Sequence, residues 1–449
     1  MLKLVQERVE KSPAGAVGRG AYRHAQATVR RALMWAVSRR GIDLSQLDKV
    51  PDSLAWPLKR DGMDPPARLA EVRSREPIHL LTTFMGMKVW LVTGHELARE
   101  VLGDVASYSS DIRPYVGKSG ASDGDIGGLG FTDPPEHTRL RKLLTPEFTM
   151  RRLDRLRPMV SRIVDQQLDE IARLAESGEP VDLVPTFAFA VPFLVICELL
   201  GLPDDRRETF RSLGAARFDV TNGGMGSLGA ISGSREFLLA EATRQRTDPG
   251  PGLIGQIVRE TGDEINDYDL GGLADGAFTG GMETSAGMLA LGTAVLLGHP
   301  EWWEKVRDDD ESVGPVVEEL LRYLSVVQVA FPRFAKTDVV VGDVSVRKGD
   351  VVLASLPAAS RDDVFGDNAE TFDPSRPARP HLAFGHGLHR CVGAELARME
   401  LRAAYPALAR RFPEMKLAEQ KIPFTQSSIV YGVESLLVWP GRDASVRAR

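Results

Sequence analysis

The chain has 449 residues, of which 43% are hydrophobic and 26% are charged, and its formal net charge is −6. This length is enough for one large enzyme domain with a sizeable core, and the mild negative charge excludes wholesale binding to nucleic acid. Two cysteines without a CxxC pair exclude a disulfide scaffold and a structural zinc knuckle.

The N-terminal part of the chain is predicted to differ from the rest. Residues 1–45 form a basic extension with a helical pattern, which a surface helix, a membrane-surface contact or a transit peptide would explain; we favour the surface helix. Residues 46–449 are expected to form a single domain. The most apolar segment, 187–202, is interrupted by Pro192 and Glu198 and is predicted to be a buried helix. With no secretory signal at the start, we expect a cytoplasmic protein without stable membrane insertion.

The first half of this domain mixes helices with a pair of strands. Asp133 is expected to cap a helix that carries prolines in its first turn, and the long loop before it is rich in Gly, Ser and Asp. Loops of this length are often functional lids. In chain order we predict a helix at 64–76, two strands around a turn at Gly86 within 77–94, and a helix at 95–103. The long loop follows at 109–137, and the capped helix at 135–144.

Helical patterns then dominate to about residue 325. Between 326 and 360, Val alternates with polar residues and Gly342 and Gly349 mark turns, which predicts short strands. A meander rich in Pro and Asp leads to a cysteine-containing loop, a long helix at 392–412 and a strand-rich tail. This order predicts a mainly α protein with small β-sheets (α+β) rather than an alternating βα fold.

The stretch FGHGLHRCVGAELAR, residues 384–398, places Cys391 between a glycine-rich loop and the start of a helix. A thiol there faces unpaired N–H groups and the positive end of the helix dipole, which favour the thiolate. Glycines also let the backbone approach a large flat group, because they have no Cβ. The ordinary alternative is a buried structural cysteine. We assign that role to Cys197, which lies in an apolar helix without polar companions.

A zinc site formed by His386, His389 and Cys391 is a second alternative, but the HxxHxC spacing is wrong for a tetrahedral structural site and no fourth ligand lies nearby. The loop instead resembles the haem-binding signature of the cytochrome P450 family, in the pattern Phe384-Gly385-x-Gly387-x-His389-x-Cys391-x-Gly393. The resemblance implies that the Cys391 thiolate ligates the iron of heme b (Fe-protoporphyrin IX). It also implies that Phe384, Gly385 and Gly393 contact the cofactor.

A second motif lies upstream in VVEELLRYLS, where Glu319 and Arg322 are three residues apart and share one helix face. Such a pair alone is usually a surface contact of little energetic value. By the resemblance it is the family's buried structural ion pair, which supports the cysteine loop. An arginine of the meander often joins it. This chain has Thr371 at that place, and the sequence leaves open whether Arg376 substitutes.

A long apolar helix is predicted at 267–298, and Gly280-Gly281, Glu283 and Thr284 interrupt it. Glycine pairs weaken a helix and permit a kink, and a carboxylate and a hydroxyl at that point can hold a water and relay protons. A buried helix with a satisfied threonine is the plain alternative. The segment resembles the family's oxygen-binding groove, with a serine after Thr284 in place of the commoner second threonine. The resemblance implies that Thr284 and Glu283 are catalytic proton-delivery residues, and it places Gly280 and Gly281 at the cofactor.

Haem carries two propionates, which arginine binds well because its guanidinium matches a carboxylate. The resemblance implies that His137 and Arg141, four residues apart on one helix face, contact this edge together with Arg333 and His389. Each of these is an ordinary surface residue by default. All four occur in the order expected for the family.

The resemblance spans residues 65–440 and implies the cytochrome P450 fold, with haem between the central long helix and the helix after the cysteine loop. The expected enzyme is an oxidoreductase of secondary metabolism. It would insert one atom of O2 into a medium-to-large, largely apolar small molecule such as a polyketide, terpenoid, steroid or fatty acid, as a hydroxyl or an epoxide. Two alternatives stay open, a hydrogen-peroxide-dependent peroxygenase and a non-catalytic haem binder, although neither needs an acid–alcohol pair.

The chain carries no flavin or iron–sulfur domain, so the family implies an external ferredoxin or flavodoxin fed by an NAD(P)H-dependent reductase. Arg139, Lys142 and Arg390 are candidates for docking an acidic donor. Substrate contacts are expected from four segments: 109–131, 203–232, 326–330 and 427–431.

Overall fold

The computed structural model describes most of the chain beyond the N-terminal extension. The described residues are 52–84, 87–111, 129–217, 228–419, 421–425, 428–443 and 445. With the exception of Asp111, they belong to one compact unit formed by residues 44–110 and 127–449. The predicted extension at 1–45 and most of the predicted 109–131 loop lie outside the described residues, so these predictions stay predictions.

The described chain is mainly helical with small sheets, as predicted. Its α-helices are α1 Asp52–Ala55, α2 Ala67–Arg75, α3 His95–Gly103, α4 Glu136–Leu144, α5 Met150–Ala175, α6 Ala190–Leu200, α7 Asp204–Arg217, α8 Leu228–Thr247, α9 Leu253–Thr261, α10 Asp267–Leu297, α11 Pro300–Asp308, α12 Asp310–Leu324, α13 Leu356–Ala359 and α14 Ala394–Arg411. Its strands are β1 Ile78–Phe84, β2 Met87–Val92, β3 Tyr108–Ser109, β4 Val181–Asp182, β5 Arg333–Ala335, β6 Val339–Val341, β7 Val344–Val346, β8 Val351–Ala354, β9 Lys416–Leu417 and β10 Leu437–Trp439.

The largest sheet joins the two strand-rich parts of the chain in the order β1-β2-β8-β5-β3. Strand β2 pairs with β8 in parallel, and the other pairs are antiparallel. The predicted strands between 326 and 360 are confirmed as β5 to β8. Strands β6 and β7 form a hairpin, and Gly342 stands in its turn at φ +55°, a left-handed conformation that glycine adopts without strain.

Helix α10 runs through the main hydrophobic core and packs against α6, α8, α12 and α14. The Asn266 side chain caps its first turn by accepting from the backbone N–H of Asp269. Glycines permit the close packing: a Cβ on Gly292 would lie 2.0 Å from the hydroxyl of Tyr405, which donates to the carbonyl of Met288 at 2.6 Å. The predicted helix at 267–298 is confirmed, and the helix is α-helical through all 31 residues without the expected interruption.

The local predictions differ from the structure at the start of α4. Asp133 does not cap this helix, whose N-cap is Pro135 without a side-chain hydrogen bond. The Asp133 carboxylate instead accepts from the Ser109 hydroxyl at 2.5 Å and from the backbone N–H of Ser110 at 2.9 Å. The Asp133 side chain therefore binds donors more than 20 residues away in the sequence and does not cap the helix beside it. The buried position of Cys197 in α6 is confirmed.

Among the described helices, none combines the length and the apolar character needed to cross a lipid bilayer.

Candidate cofactor and catalytic site

The loop before α14 brings Cys391 to the N-terminus of that helix. The backbone N–H of Cys391 donates to the carbonyl of Phe384 at 2.9 Å, and this bond closes the loop. Gly387 has φ +72°, and a Cβ on it would lie 2.8 Å from the backbone of Gly103, so the loop packs directly on the end of α3. Gly385 has φ +68°, with nothing within 4 Å of where its Cβ would be. Gly387 thus permits a close backbone contact, and Gly385 leaves the other side of the loop open.

The Cys391 residue is exposed, so its thiol is accessible to a cofactor. The surrounding protein atoms raise the pKa of this thiol, while the N–H of Gly393 and the positive charge of Arg141 act in the opposite direction. A helix N-terminus and nearby cations are the surroundings that favour a thiolate there.

The structure brings His137, His389 and Arg333 together near this loop. His137 on α4 is completely buried, and neither of its ring nitrogens has a hydrogen-bond partner within the described residues. Its ring centroid lies 4.3 Å from that of His389. Burial, and to a lesser extent Arg141, lowers the pKa of His137. A buried imidazole without partners is costly, so this position suits a polar group that is not part of the chain.

His389 differs from His137 because both of its nitrogens have protein partners. Nδ1 lies 3.1 Å from the carbonyl of Leu129 and Nε2 lies 3.3 Å from the Ser110 hydroxyl. Burial, then Arg333 and His137, lowers the pKa of His389 to about 4, so the ring is neutral at pH 7 with Nδ1–H donating. Its predicted contact with the cofactor stays a prediction.

Arg333 opens strand β5 and is buried, and its Nη1 donates to the carbonyl of Phe331 at 3.0 Å. Burial lowers its pKa to about 10, opposed by the charge of Asp133, so the guanidinium stays positive at neutral pH. Arg141 lies nearer the thiol, and its Nη2 donates to the carbonyl of Arg390 at 2.7 Å. The four predicted propionate-binding residues are therefore split between Arg141 at the cysteine loop and the cluster of Arg333 and the two histidines.

These residues fit haem. Its iron needs an accessible thiolate, which Cys391 can supply, and its carboxylates need donors, which His137 and Arg333 can supply from buried positions. Its flat face needs open backbone, and Gly385 and Gly280 have nothing within 4 Å of where a Cβ would be.

The zinc alternative has no support from the geometry. Within the described ranges no three His, Cys, Asp or Glu side chains are grouped so that they could hold a metal ion. His386 lies against α3, because a Cβ on Gly103 would be 3.6 Å from its ring. His389 is bound to Leu129 and Ser110 instead.

The predicted proton-delivery residues lie on α10. Thr284 Oγ1 donates to the carbonyl of Gly280 at 2.7 Å, and both Thr284 and Glu283 are partly exposed. Gly280 faces open space, but a Cβ on Gly281 would lie 2.6 Å from the side chain of Ile196 on α6. The observed role of Gly281 is therefore helix packing, and its predicted contact with the cofactor stays a prediction.

Glu319 and Arg322 form the predicted buried pair, joined by two hydrogen bonds of 2.7 Å. Arg376 is the third member: its Nε lies 3.4 Å from the Glu319 carboxylate, and its Nη1 donates to the carbonyl of Phe365 at 2.6 Å. The sequence left open whether Arg376 takes the place at which this chain has Thr371, and in the structure Arg376 reaches Glu319. Thr371 contributes only its backbone carbonyl, which accepts from both arginines.

Sequence reasoning missed a second network, on Glu318. Its carboxylate accepts two hydrogen bonds from Arg398 of α14, at 2.7 and 2.9 Å, and lies 3.3 Å from His381. The Arg398 guanidinium carbon lies 4.7 Å from the ring centroid of Phe384 in the cysteine loop. The two adjacent glutamates in VVEELLR were the available signal, since Glu319 binds Arg322 and Arg376 whereas Glu318 binds Arg398 of α14.

The chain matches the family model described as Cytochrome P450 over residues 58–225 and 252–435. It is 37% identical over 389 residues to cytochrome P450 165B3 of Amycolatopsis orientalis, a match that covers 85% of this chain and 97% of that protein. It is 36% identical over 381 residues to nocardicin C N-oxygenase of Nocardia uniformis subsp. tsuyamanensis, covering 82% and 94% of the two chains. Among solved structures, P450 StaH from glycopeptide antibiotic A47934 biosynthesis is 39% identical, with a TM-score of 0.77 and coverage of 85% and 99%.

Proposed function

Because the chain belongs to the cytochrome P450 family of haem-thiolate monooxygenases, we propose that it inserts one atom of O2 into a medium-to-large, largely apolar small molecule. The enzyme class is that of the family, an oxidoreductase whose cofactor is protoporphyrin IX haem. The observation that carries the proposal is the accessible Cys391 thiol at the N-terminus of α14, beside the buried donors His137 and Arg333.

The proposed roles follow from the positions of these groups. Cys391 holds the iron through its sulfur, and His137 and Arg333 hold the propionate edge by donating to it. When bound, haem supplies the iron at which dioxygen is reduced and split. The Thr284 hydroxyl directs its proton to the carbonyl of Gly280 at 2.7 Å, so its oxygen is free to accept a hydrogen bond from a water. We assign the proton supply to that water from Glu283, one residue away.

The substrate is proposed as a product of secondary metabolism. The printed name of StaH places that protein in glycopeptide antibiotic biosynthesis, and the name of nocardicin C N-oxygenase gives its substrate. We therefore add peptides of antibiotic biosynthesis to the candidates expected from the sequence, which are polyketides, terpenoids, steroids and fatty acids. Compounds of these classes can be screened by the change in iron spin state that a ligand causes when it displaces water from the haem pocket.

For electron supply we propose an external ferredoxin or flavodoxin with an NAD(P)H-dependent reductase. The docking residues named from the sequence are revised. Arg139 is paired with Glu136, at 2.6 Å, and with Asp269, so its charge is neutralised locally. Arg390 has only a distant carboxylate, that of Glu395 at 3.9 Å. Lys142 and Arg390 remain the proposed contacts for an acidic donor.

We also propose that residues 46–449 form the catalytic domain, which is supported by the family match between 58 and 435. A cytoplasmic location is proposed because NAD(P)H, the source of the electrons, is held inside the cell.

The test is the absorption spectrum of the reduced protein with carbon monoxide, for the wild type, Cys391→Ala and Cys197→Ala. A strongly red-shifted Soret band is expected in the wild type and in Cys197→Ala, and its loss in Cys391→Ala. Cys197 is the matched control because it is the other free cysteine and lies in the core. A band unchanged by Cys391→Ala would refute the proposal. Turnover with hydrogen peroxide that equals turnover with the reductase would favour a peroxygenase.

A further inference from the structure

Arg60 is a buried arginine that binds to distant parts of the chain. Its Nη2 donates to the carbonyls of Leu324 at 2.7 Å and Ser325 at 3.0 Å, and its Nε donates to Oε1 of Gln328 at 3.0 Å. Its guanidinium carbon lies 4.6 Å from the ring centroid of Tyr431. One side chain therefore contacts the end of α12, the segment after it and Tyr431 near the C-terminus.

Gln328 and Tyr431 extend these contacts. The buried Gln328 donates from Nε2 to the carbonyl of Ser428 at 2.7 Å, and the Tyr431 hydroxyl donates to the carbonyl of Gly62 at 2.7 Å. We call Arg60, Gln328 and Tyr431 the Arg60 clamp. It joins segments that are more than 260 residues apart in sequence, so no local element could hold them.

The clamp lies against the face of α10 that carries Thr284. Gly280, Thr284 and Gly287 share one face, since they are four and three residues apart. A Cβ on Gly287 would lie 2.8 Å from the backbone oxygen of Tyr431, whereas Gly280 has nothing within 4 Å of its Cβ position. The backbone of Tyr431 therefore packs on the same face of α10 as the open position at Gly280, about two helical turns away, and on this basis we place the clamp at the edge of the space beside Thr284.

The clamp also sets which side chains border that space. Val326 and Gln328 are buried, while Val327 and Val329 are partly exposed, as expected of an extended segment in which alternate side chains point to opposite sides. A shift of one residue would exchange the two sets. Arg60 binds the carbonyls just before this segment and the side-chain amide of Gln328 within it. It therefore holds the segment that carries Val327 and Val329 together with the backbone hydrogen bonds from Gln328 to Ile429 and from Ala330 to Ala354.

An arginine suits this position better than a lysine. A planar guanidinium directs several N–H groups in fixed directions, which two carbonyls and an amide oxygen require, whereas an ammonium is a compact point charge. Burial lowers the pKa of Arg60 to about 9, so the group is still charged at neutral pH. Its hydrogen bonds are therefore charge-assisted.

We propose that Arg60 is a positioning residue of the substrate cavity, which holds segments 326–330 and 428–431 in place and so sets the fit of bulky ligands. The inference rests on the proposed monooxygenase function, because that function makes the space beside Thr284 the substrate cavity. It goes further by assigning the fit of the cavity to a buried residue that acts through the segments it binds.

The test compares two azoles that bind the ferric holoenzyme through the iron, imidazole and clotrimazole, by optical difference titration. Imidazole is small and makes few contacts with the cavity wall, whereas clotrimazole is bulky and makes many. Arg60→Lys is expected to weaken the binding of clotrimazole about tenfold, which is the size expected when charged hydrogen bonds are lost. The affinity for imidazole is expected to stay within about twofold of the wild-type value. Equal weakening of both azoles, or no weakening of either, would overturn the proposal.

Arg246→Lys is the matched control. Arg246 also binds backbone carbonyls, those of Gly262, at 3.0 Å, and Ile265, together with the Asp267 carboxylate. It does so at the start of α10, about 25 Å along the helix from Thr284. Both azoles are expected to bind this variant as they bind the wild type. A tenfold change for clotrimazole in this control would also overturn the proposal.

If Arg60→Lys yields no holoenzyme, Tyr431→Phe decides. It keeps the ring beside the guanidinium and removes only the hydrogen bond to Gly62. This variant is expected to bind clotrimazole about threefold more weakly than the wild type and imidazole equally well. Wild-type affinities for both azoles would refute the inference. Neither titration needs turnover. A wild-type protein without a haem-thiolate spectrum would refute the proposed function, and this result is distinct from any change in azole affinity.

Discussion

The imidazole rings of His137 and His389 lie with their centroids 4.3 Å apart, and their surroundings give them different roles. His389 is bound to Leu129 and Ser110, whereas both nitrogens of His137 lack partners within the described chain. His137 is therefore the histidine whose buried hydrogen-bonding capacity a haem carboxylate would satisfy.

His137→Phe is expected to speed the loss of haem roughly fivefold, because one buried hydrogen bond to the cofactor is removed while the ring volume is kept. The measurement is the rate of haem transfer to excess apomyoglobin. His79→Phe is the control, since His79 lies on β1 and pairs with Glu76. An equal rate of transfer in the wild type and His137→Phe would show that His137 does not hold the cofactor.

Thr284→Ala is expected to increase the fraction of NAD(P)H electrons released as hydrogen peroxide, with product formation reduced about tenfold or more. The reduced carbon monoxide spectrum is expected to stay unchanged. Thr279→Ala is the matched control, because Thr279 lies on the same helix and its hydroxyl makes the same bond to a carbonyl four residues before it, at 2.8 Å. If both variants couple electrons to product equally well, Thr284 has no special role in proton delivery.

Arg376→Ala is expected to lower the free energy of unfolding by about 2–4 kcal/mol, because Glu319 loses a partner in a buried network. Thr371→Val is expected to change it by less than about 0.5 kcal/mol, since Thr371 acts through its backbone carbonyl. Denaturant unfolding of both variants measures the difference. A Thr371→Val variant as unstable as Arg376→Ala would contradict the assignment of Arg376 as the third member.

The buried carboxyl group of Glu400 predicts that stability falls as pH rises from about 4.5 to about 8. Its side chain on α14 is 2% exposed, its Oε2 has no partner within the described residues, and burial raises its pKa from 4.5 to about 8. The folded state therefore binds a proton that the unfolded state has lost between these pH values. Stability falls as pH rises through this window, by up to about 1.4 kcal/mol per pH unit.

Glu400→Gln keeps the neutral shape and is expected to remove this dependence. The measurement is the melting temperature of the wild type and the variant at pH 6 and pH 8.5. Glu71→Gln, at an exposed carboxylate on α2, is expected to follow the wild type. A wild-type melting temperature that drops no more than that of Glu400→Gln would contradict the prediction.

Lys142→Glu combined with Arg390→Glu is expected to slow reduction by a ferredoxin about tenfold at low salt, with a smaller effect at high salt. Stopped-flow reduction under carbon monoxide measures the rate. Lys59→Glu is the control, because Lys59 is exposed and pairs with Asp52 on α1. Unchanged rates at every ionic strength would place the donor elsewhere.

The sequence by itself determined the parts of this protein that depend on residues close together in the chain. The helix at 267–298, the pairing of Glu319 with Arg322 and the position of Cys391 before α14 all follow from spacings of a few residues, whereas the burial of that pair was implied by the family resemblance. Such spacings decide which side chains share a helix face or a helix end, so no knowledge of the fold is needed.

Only the tertiary structure decided the roles that depend on partners far along the chain. It made Arg376 the third member of the triad, turned the Asp133 carboxylate toward Ser109 and Ser110, and left the ring nitrogens of His137 without a hydrogen-bond partner among the described residues. It also joined Arg60 to Gln328. These contacts depend on how separate elements pack, and a charged side chain in the sequence carries no record of which distant carbonyl or carboxylate the fold will bring to it.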